Sequence, residues 1–131
     1  MKDIVWKDIK GYEGIYQISN YGEVIRLQSY DSRGHLRNKR TLKQRKNEDG
    51  YLQLGLHKNG KEKKFLVHRL VAETFTPNPY NYLEINHIDE NKQNNSIFNL
   101  EWCDHKYNTN YGTSQARRIA TRYKKGGIEY A

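Results

Sequence analysis

The residues best suited to chemistry lie between positions 86 and 108. Asn86 and His87 end a segment that resembles a β-strand, Asn99 lies twelve positions after His87, and Asn108 lies nine after Asn99. A histidine can take a proton from water, and a hard divalent cation can neutralise a phosphate and stabilise a leaving oxygen, as phosphodiester hydrolysis requires. Asparagine and histidine at strand ends are also common turn and capping residues, so that interpretation stays open.

The pattern around these residues predicts a strand, a loop, a second strand and a helix. Asp104 is a good N-cap for the helix, and Gly112 can close it. Successive side chains of a regular strand point to opposite faces, so Asn86 and His87 can serve one phosphate only where the strand bends or ends. The four segments of this ββα unit are residues 83–88, 89–96, 100–103 and 105–111.

The earlier part of the chain predicts mostly antiparallel strands. Alternating apolar residues and turn signals predict, in order, a hairpin, an exposed basic loop, a β-meander and one helix. These segments are residues 15–27, 28–40, 41–67 and 67–75. Pro77 and Pro79 end the helix, and we assign Trp6 and Trp102 to the core. The predicted fold class is α+β, with an antiparallel β-rich N-terminal region followed by the ββα unit.

Composition limits the class of protein. The chain has 131 residues, of which 35% are hydrophobic, enough for one compact domain or two small ones that share a core. Its single cysteine, Cys103, excludes an intrachain disulfide and a cysteine-rich zinc site, which fits a reducing cytoplasm. The N-terminal segment is too polar for a signal peptide, and no run of 18 apolar residues predicts a membrane span.

The formal net charge is +8, and it is unevenly distributed. Residues 31–70 hold twelve Lys or Arg against four Asp or Glu, whereas residues 71–108 hold two against six. Residues 109–131 are basic again, with five against one. Basic flanks favour a polyanion such as nucleic acid, and the acidic middle tolerates a cation. The alternative is that the two blocks simply offset each other through salt bridges.

Three stretches resemble a known family. INHIDENKQNNSIFNLEWCDHKYNTN is similar to the ββα-metal module of HNH nucleases, particularly phage and intron-encoded homing endonucleases. FLVHRLVAETFTPNP resembles the helix before that module, and WKDIKGYEGIYQISNYGEVIRL resembles the nuclease-associated modular motif that precedes it. The resemblance covers roughly residues 4–112. It implies an N-terminal DNA-binding region over 1–57, a nuclease domain over 58–112, and a basic tail or helix over 113–131.

The resemblance also implies roles at matching positions. His87 would be the general base, Asn86 and Asn108 would bind one divalent metal ion, and Asn99 would tie the loop between the two strands as part of the catalytic set. The expected ion is Mg²⁺, with Mn²⁺ as the alternative. Some relatives carry aspartate where this chain has Asn86, and others carry histidine where it has Asn108. Two neutral amides bind Mg²⁺ less strongly than carboxylates do, so we expect the scissile phosphate to complete the coordination.

Other polar residues have weaker signals. His105 shares a helix face with Asn108, and it is either a further metal or phosphate contact or an exposed polar residue. We interpret His68 as structural and Asn94 and Asn95 as loop-forming. As a set, the basic residues predict a DNA backbone surface, although each alone is also typical of a solvated side chain. They are Arg33, Arg37, Lys39, Arg40, Lys43, Arg45, Lys46, Arg69, Arg117, Arg118 and Arg122.

The resulting prediction is a metal-dependent endonuclease that hydrolyses double-stranded DNA, of the nicking, homing type. We expect a monomer or weak dimer, without a small-molecule cofactor or membrane contact, in the cytoplasm of a bacterial host and encoded by a phage. Two alternatives stay open: a non-catalytic DNA-binding module on the same scaffold, and an RNA-directed nuclease or RNA-binding protein, which the basic charge and eleven tyrosines would also suit.

Overall fold

The computed structural model describes residues 3–112, which form strands and short helices in the order expected of an α+β protein. The strands are β1 (Trp6–Asp8), β2 (Tyr16–Ser19), β3 (Val24–Arg26), β4 (Ser29–Tyr30), β5 (Leu36–Arg37), β6 (Arg40–Thr41), β7 (Arg45–Lys46), β8 (Leu52–Lys58), β9 (Lys61–Leu66), β10 (Glu84–His87) and β11 (Leu100–Cys103). The helices are α1 (Val67–Phe75), α2 (His105–Asn110) and a 3-10 turn at Ile97–Asn99.

The described strands form four small sheets whose pairings are all antiparallel. The largest has the order β1-β2-β3-β6, and β7-β8-β9 form a second. β4 pairs with β5, and β10 pairs with β11. The α+β class and the antiparallel N-terminal region predicted from the sequence are therefore confirmed.

The hairpin of β2 and β3 turns at residues 19–23. Ser19 Oγ accepts hydrogen bonds from the backbone N–H groups of Tyr21 (3.2 Å) and Glu23 (3.1 Å). Gly22 has a φ of 91°, a conformation that an L side chain rarely adopts. This turn lies against the loop that follows β10, as described below.

One hydrophobic core joins the N-terminal sheet to the rest of the described chain. Tyr16, Ile18 and Val24 pack in the same buried cluster as Leu56 and the apolar face of α1. That face contains Val67, Leu70 and Val71, the period predicted from the sequence. Ile85 of β10 and Leu100 of β11 belong to the same cluster, so the core also packs against the ββα unit.

Three details of the sequence interpretation are wrong. Residues 28–40 are not one loop, because β4 and β5 pair as a hairpin between Ser29 and Arg37. Thr41 belongs to the first sheet, where it pairs with Ile25, so the meander begins only at β7. Trp6 is 36% exposed, since β1 is an edge strand of the first sheet. Trp102 does pack against the core, and its indole N–H donates to Thr76 O at 3.0 Å.

The predicted domain boundary at residue 57 lies inside β8, whose partner β9 is on the other side of it. The division into domains stays a prediction. The predicted tail over 113–131, with its helix and Arg117, Arg118 and Arg122, lies outside the described residues. Within residues 3–112, no helix is long and apolar enough to cross a membrane.

Candidate active site

The ββα unit is built by a tight antiparallel pair and one helix. β10 and β11 pair in a register that places Asn86 opposite Glu101 and His87 opposite Leu100. Asp104 caps α2 by accepting a hydrogen bond from the backbone N–H of Tyr107 at 2.7 Å. The cap starts α2 directly after β11, which returns the helix alongside β10.

Asn86, His87 and Asn108 line the same cavity. Its volume is about 240 Å³, and its other lining residues are Tyr51, Glu90, Lys92 and Tyr111. Asn86 and His87 are adjacent in β10, yet both reach this space because the strand ends at His87. A strand that ends at His87 is what the sequence required if both residues are to serve one phosphate, and that shared role stays a prediction.

The side-chain amides of Asn86 and Asn108 are each held by a carboxylate. Asn86 Nδ2 donates to Glu101 Oε1 at 2.9 Å, and Asn108 Nδ2 donates to Glu84 Oε1 at 2.9 Å. An ionised carboxylate can only accept, so the NH₂ group of each amide must face its glutamate. The Oδ1 atoms of both asparagines are thereby kept as acceptors.

These residues fit a hard divalent cation. Such ions prefer oxygen ligands, and two residues that line one small cavity carry amide groups of fixed orientation. Hydrogen bonds from ligand groups to carboxylates are common around metal sites, because they fix ligand orientation and strengthen the ligand. Glu84 and Glu101 therefore supply nearby negative charge that the two neutral amides lack. Metal binding by Asn86 and Asn108 and proton removal by His87 stay predictions.

The sequence interpretation missed Glu84 and Glu101. Glu84 is two positions before Asn86 in β10, so its side chain leaves the same side of the strand, and Glu101 lies opposite Asn86 in the sheet register. The hydrogen bond from Asn108, followed by that from His105, lowers the pKa of Glu84. Glu84 is thus favoured in its charged form. The spacing of two residues between Glu84 and Asn86 could have indicated from the sequence that they share a strand face. The pairing of Asn86 with Glu101 depends on the strand register and could not.

His87 is buried and its ring is held on several sides. Its Nε2 lies 2.7 Å from Asn95 Oδ1, and its ring centroid lies 5.1 Å from that of His68 and 5.9 Å from that of Tyr51. Burial lowers the pKa of His87, against the opposing effect of the Asn95 hydrogen bond. The imidazole is therefore favoured in its neutral form, which a general base requires.

His68, on α1, lies behind His87 and not in the cavity lining. It is 6% exposed, and its ring centroid is 4.9 Å from that of Tyr51. Burial lowers the pKa of His68 to about 4, and the neighbouring His87 contributes in the same direction. This residue packs as a neutral ring against His87, and its purely structural role stays a prediction.

Asn99 closes the loop between β10 and β11 and does not line the cavity. Its Oδ1 accepts from the backbone N–H of Asp89 at 2.9 Å, and its Nδ2 donates to Asp89 Oδ1 and Asn94 O, both at 2.8 Å. The backbone of Asn99 also accepts from the N–H of Ile88. These contacts fix the shape of the loop, and a catalytic contribution of Asn99 stays a prediction.

His105 does not line the cavity. Its Nδ1 lies 2.7 Å from Glu84 Oε2. Its side chain is 81% exposed. In this arrangement His105 contacts the glutamate that holds Asn108, so a direct role with a metal or phosphate stays a prediction.

Lys92 and Tyr51 close one wall of the cavity. Lys92 Nζ donates to Asp49 O at 2.8 Å and lies 4.8 Å from the centre of the Tyr51 ring. Burial raises the pKa of the Tyr51 phenol, so it stays protonated. The lysine thus places a positive charge beside the cavity, which sequence reasoning did not single out.

The predicted DNA-binding residues of the β-rich region are all exposed. They lie on β5, β6 and β7 and in the segments next to them, and they are Arg33, Arg37, Lys39, Arg40, Lys43, Arg45 and Lys46. Arg69 differs, because its guanidinium donates to Leu83 O at 3.0 Å and lies 3.4 Å from Glu73 Oε1. The guanidinium of Arg69 is therefore engaged within the protein.

Two family models match adjacent parts of the chain. Residues 5–57 match the NUMOD4 motif, and residues 65–110 match the HNH endonuclease model. The stretches that resembled a nuclease-associated motif and a nuclease module from the sequence are the ones matched, so that resemblance is confirmed.

Several known proteins are similar to this chain. DNA endonuclease I-HmuI of Bacillus phage SP01 is 48% identical over 103 residues, which cover 79% of this chain and 54% of that protein. An uncharacterised HNH endonuclease, L245, of Acanthamoeba polyphaga mimivirus is 46% identical over 80 residues, which cover 61% of this chain and 24% of that protein. The chain thus spans about half of the phage relative and a quarter of the viral one.

A solved structure shares the fold. The structure titled "DNA binding and cleavage by the HNH homing endonuclease I-HmuI" superposes with a TM-score of 0.61 at 39% identity. The match covers 96% of this chain and 62% of that chain. The likeness therefore includes the N-terminal sheets as well as the ββα unit.

Proposed function

Because the chain belongs to the HNH endonuclease family, with a NUMOD4 motif before the nuclease module, we propose that it hydrolyses DNA phosphodiester bonds with the help of one divalent metal ion. The observation that carries this proposal is the cavity that His87 lines together with Asn86 and Asn108, two residues whose amide groups are oriented by glutamates. The similar I-HmuI protein is described as binding and cleaving DNA.

In the proposed reaction, His87 takes a proton from the attacking water. Its buried, neutral ring lines the cavity and can accept that proton without first losing one. Asn86 and Asn108 would hold the metal ion through Oδ1, because Glu101 and Glu84 engage the Nδ2 atoms and leave those oxygens available as ligands. When bound, the ion supplies charge neutralisation at the phosphate and stabilisation of the leaving 3′ oxygen. We propose Mg²⁺ as the ion.

The exposed basic side chains of β5 to β7 form the proposed DNA backbone surface. Seven positive side chains there, with few acidic neighbours, favour phosphate contacts that depend on salt. Lys92 adds a positive charge at the cavity lining. The substrate is proposed to be duplex DNA, bound by a monomer or weak dimer in the host cytoplasm, and one cavity would nick one strand.

The decisive experiment is a plasmid-nicking assay with Mg²⁺ or Mn²⁺ against the same reaction in EDTA. We expect nicked circles only with the metal, and no nicking by His87→Ala, which should still bind DNA. His57→Ala is the matched control, since His57 is an exposed histidine that contacts Glu62 at 3.1 Å, away from the cavity. DNA binding without cleavage under every metal condition would support the non-catalytic alternative, and preferential cleavage of RNA would support the RNA-directed one.

A further inference from the structure

We propose that Asn95 is a positioning residue for His87, and that the turn of the N-terminal hairpin holds Asn95 in place. In this arrangement Asn95 accepts a hydrogen bond from Nε2–H of His87, which leaves the lone pair of the imidazole on Nδ1. The inference deepens the proposed function, since it assumes that His87 is the base.

The contact between the two side chains is short and buried. His87 Nε2 lies 2.7 Å from Asn95 Oδ1, and the two residues are 5% and 4% exposed. His87 lines the cavity and Asn95 does not. Of the two ring nitrogens, Nε2 is therefore engaged by a residue outside the cavity lining, and in this proposal Nδ1 accepts the proton from water.

The orientation of the Asn95 amide decides whether the base can work. With Oδ1 towards the ring, Nε2 carries the hydrogen and Nδ1 has a lone pair. With the amide reversed, Nδ2 would donate to Nε2, and the neutral ring would have to carry its hydrogen on Nδ1. A neutral histidine in that second state has no free nitrogen with which to take a proton from water.

The Asn95 side chain is incompletely satisfied. Its Nδ2 is buried and has no hydrogen-bond partner among residues 3–112. A buried unsatisfied donor costs about 1–3 kcal/mol, so an asparagine placed only for stability is poorly accounted for. The hydrogen bond to His87 accounts for an asparagine at this position, and loop formation alone does not.

The neighbouring asparagine shows the contrast. Asn94 Nδ2 donates to Asp89 Oδ2 at 2.9 Å, within the loop that Asn99 closes. That contact stabilises the loop and does not touch His87. The two adjacent asparagines therefore have different tasks.

The hairpin turn packs directly on Asn95. A Cβ atom placed on Gly22 would lie 3.2 Å from Asn95 Cβ and 3.3 Å from Asn95 O. Two residues further on, the backbone N–H of Ile97 donates to Asn20 O at 2.9 Å. The turn over residues 19–23 thus holds the loop at Asn95 and at Ile97, which links the N-terminal motif to the position of the base.

The test is nuclear magnetic resonance of the histidine rings in the full chain, labelled with ¹⁵N and free of metal and DNA. In the wild type we expect His87 with hydrogen on Nε2, a slowly exchanging Hε2 proton, and an unprotonated Nδ1. Asn95→Ala should accelerate exchange of Hε2 by at least about tenfold, because the buried acceptor is lost. Asn94→Ala is the matched control and should retain the slow Hε2 proton. Asn95→Asp keeps an acceptor and should retain it as well.

Cleavage provides a second measurement. Asn95→Ala should lower kcat by roughly 10- to 100-fold, the usual loss when a residue that orients a functional group is removed, while the Kd for DNA stays unchanged. Asn95→Leu fills similar volume without an acceptor and replaces Asn95→Ala if the alanine variant unfolds.

Two results would overturn the inference: a wild-type ring protonated at Nδ1, or a slow Hε2 proton that survives in both Asn95→Ala and Asn95→Leu. These measurements need no cleavage. A wild-type protein that binds DNA but cuts nothing would therefore refute the proposed function. The histidine ring spectra would still decide whether Asn95 accepts a hydrogen bond from His87.

Discussion

Acidification should destabilise this fold through His68. The pKa of His68 is about 4 in the folded protein, against an ordinary value of 6.5, because the ring is buried behind His87. Between those two pH values the unfolded chain binds a proton at this residue and the folded chain does not. The contribution of the neutral His68 to the free energy of unfolding is therefore fully present above pH 6.5 and is lost as the pH falls to about 4.

The size of the effect follows from the difference between the two pKa values. Each unit is about 1.4 kcal/mol, so the loss between pH 7 and pH 4 is about 3 kcal/mol from His68 alone. That is a large share of the 5–15 kcal/mol typical of a whole domain. The 6% exposure of His68 leaves little solvent to screen the effect.

Urea unfolding at several pH values between 7 and 4 would measure it, with the wild type compared against His68→Phe. Phenylalanine keeps a ring in the buried position and cannot be protonated. The carboxylates that are common to both proteins cancel in the difference, so the variant should lose about 3 kcal/mol less than the wild type over this range. An equal loss in the two proteins would refute the assignment of the acid sensitivity to His68.

Three further predictions concern the cavity and its support. Because burial lowers the pKa of His87, kcat/KM should fall on the acid side with an apparent pKa below 6.5, measured from initial nicking rates between about pH 5 and pH 8; an acid limb centred above 6.5 would contradict this. Glu101→Gln can still accept from Asn86 but loses the charge, so the Kd for Mn²⁺ by calorimetry should rise roughly tenfold, and an unchanged Kd would count against the role of Glu101. Gly22→Ala places a methyl group against Asn95 at a positive φ, so thermal unfolding should show a loss of about 2 kcal/mol, and a fully stable variant would disprove the close packing of the turn.

Local sequence patterns explain why part of the site was predictable. Asn86 and His87 end a strand, and Asp104 marks the start of the helix that carries Asn108, so the order of these residues follows from local patterns. Those signals are short-range, since capping and strand alternation depend on neighbours in the chain. The α1 helix was equally clear, because its apolar period and the prolines after it act locally.

Other parts of the site depend on contacts between distant residues. Glu101 meets Asn86 only through the pairing of β10 with β11, and Tyr51 reaches the cavity from the segment that joins β7 to β8. Asn95 looked like an ordinary loop residue, because nothing in its neighbours indicates a hydrogen bond to His87 eight positions earlier. Trp6 was misassigned for a related reason, since an apolar side chain is buried only where its strand is covered.

The resemblance to a known nuclease module implied which residues would bind a metal and remove a proton, whereas the sequence patterns by themselves determined the fold class and the order of the ββα unit. Hydrophobic period, capping residues and charge distribution carry that information, because each acts over a few neighbouring positions. Only the tertiary structure decided that His87 and Asn86 share a cavity, which carboxylates orient the amides, and that a hairpin turn supports Asn95. Those facts depend on strand register, on the end of a strand, and on the packing of segments more than seventy residues apart, such as Gly22 and Asn95.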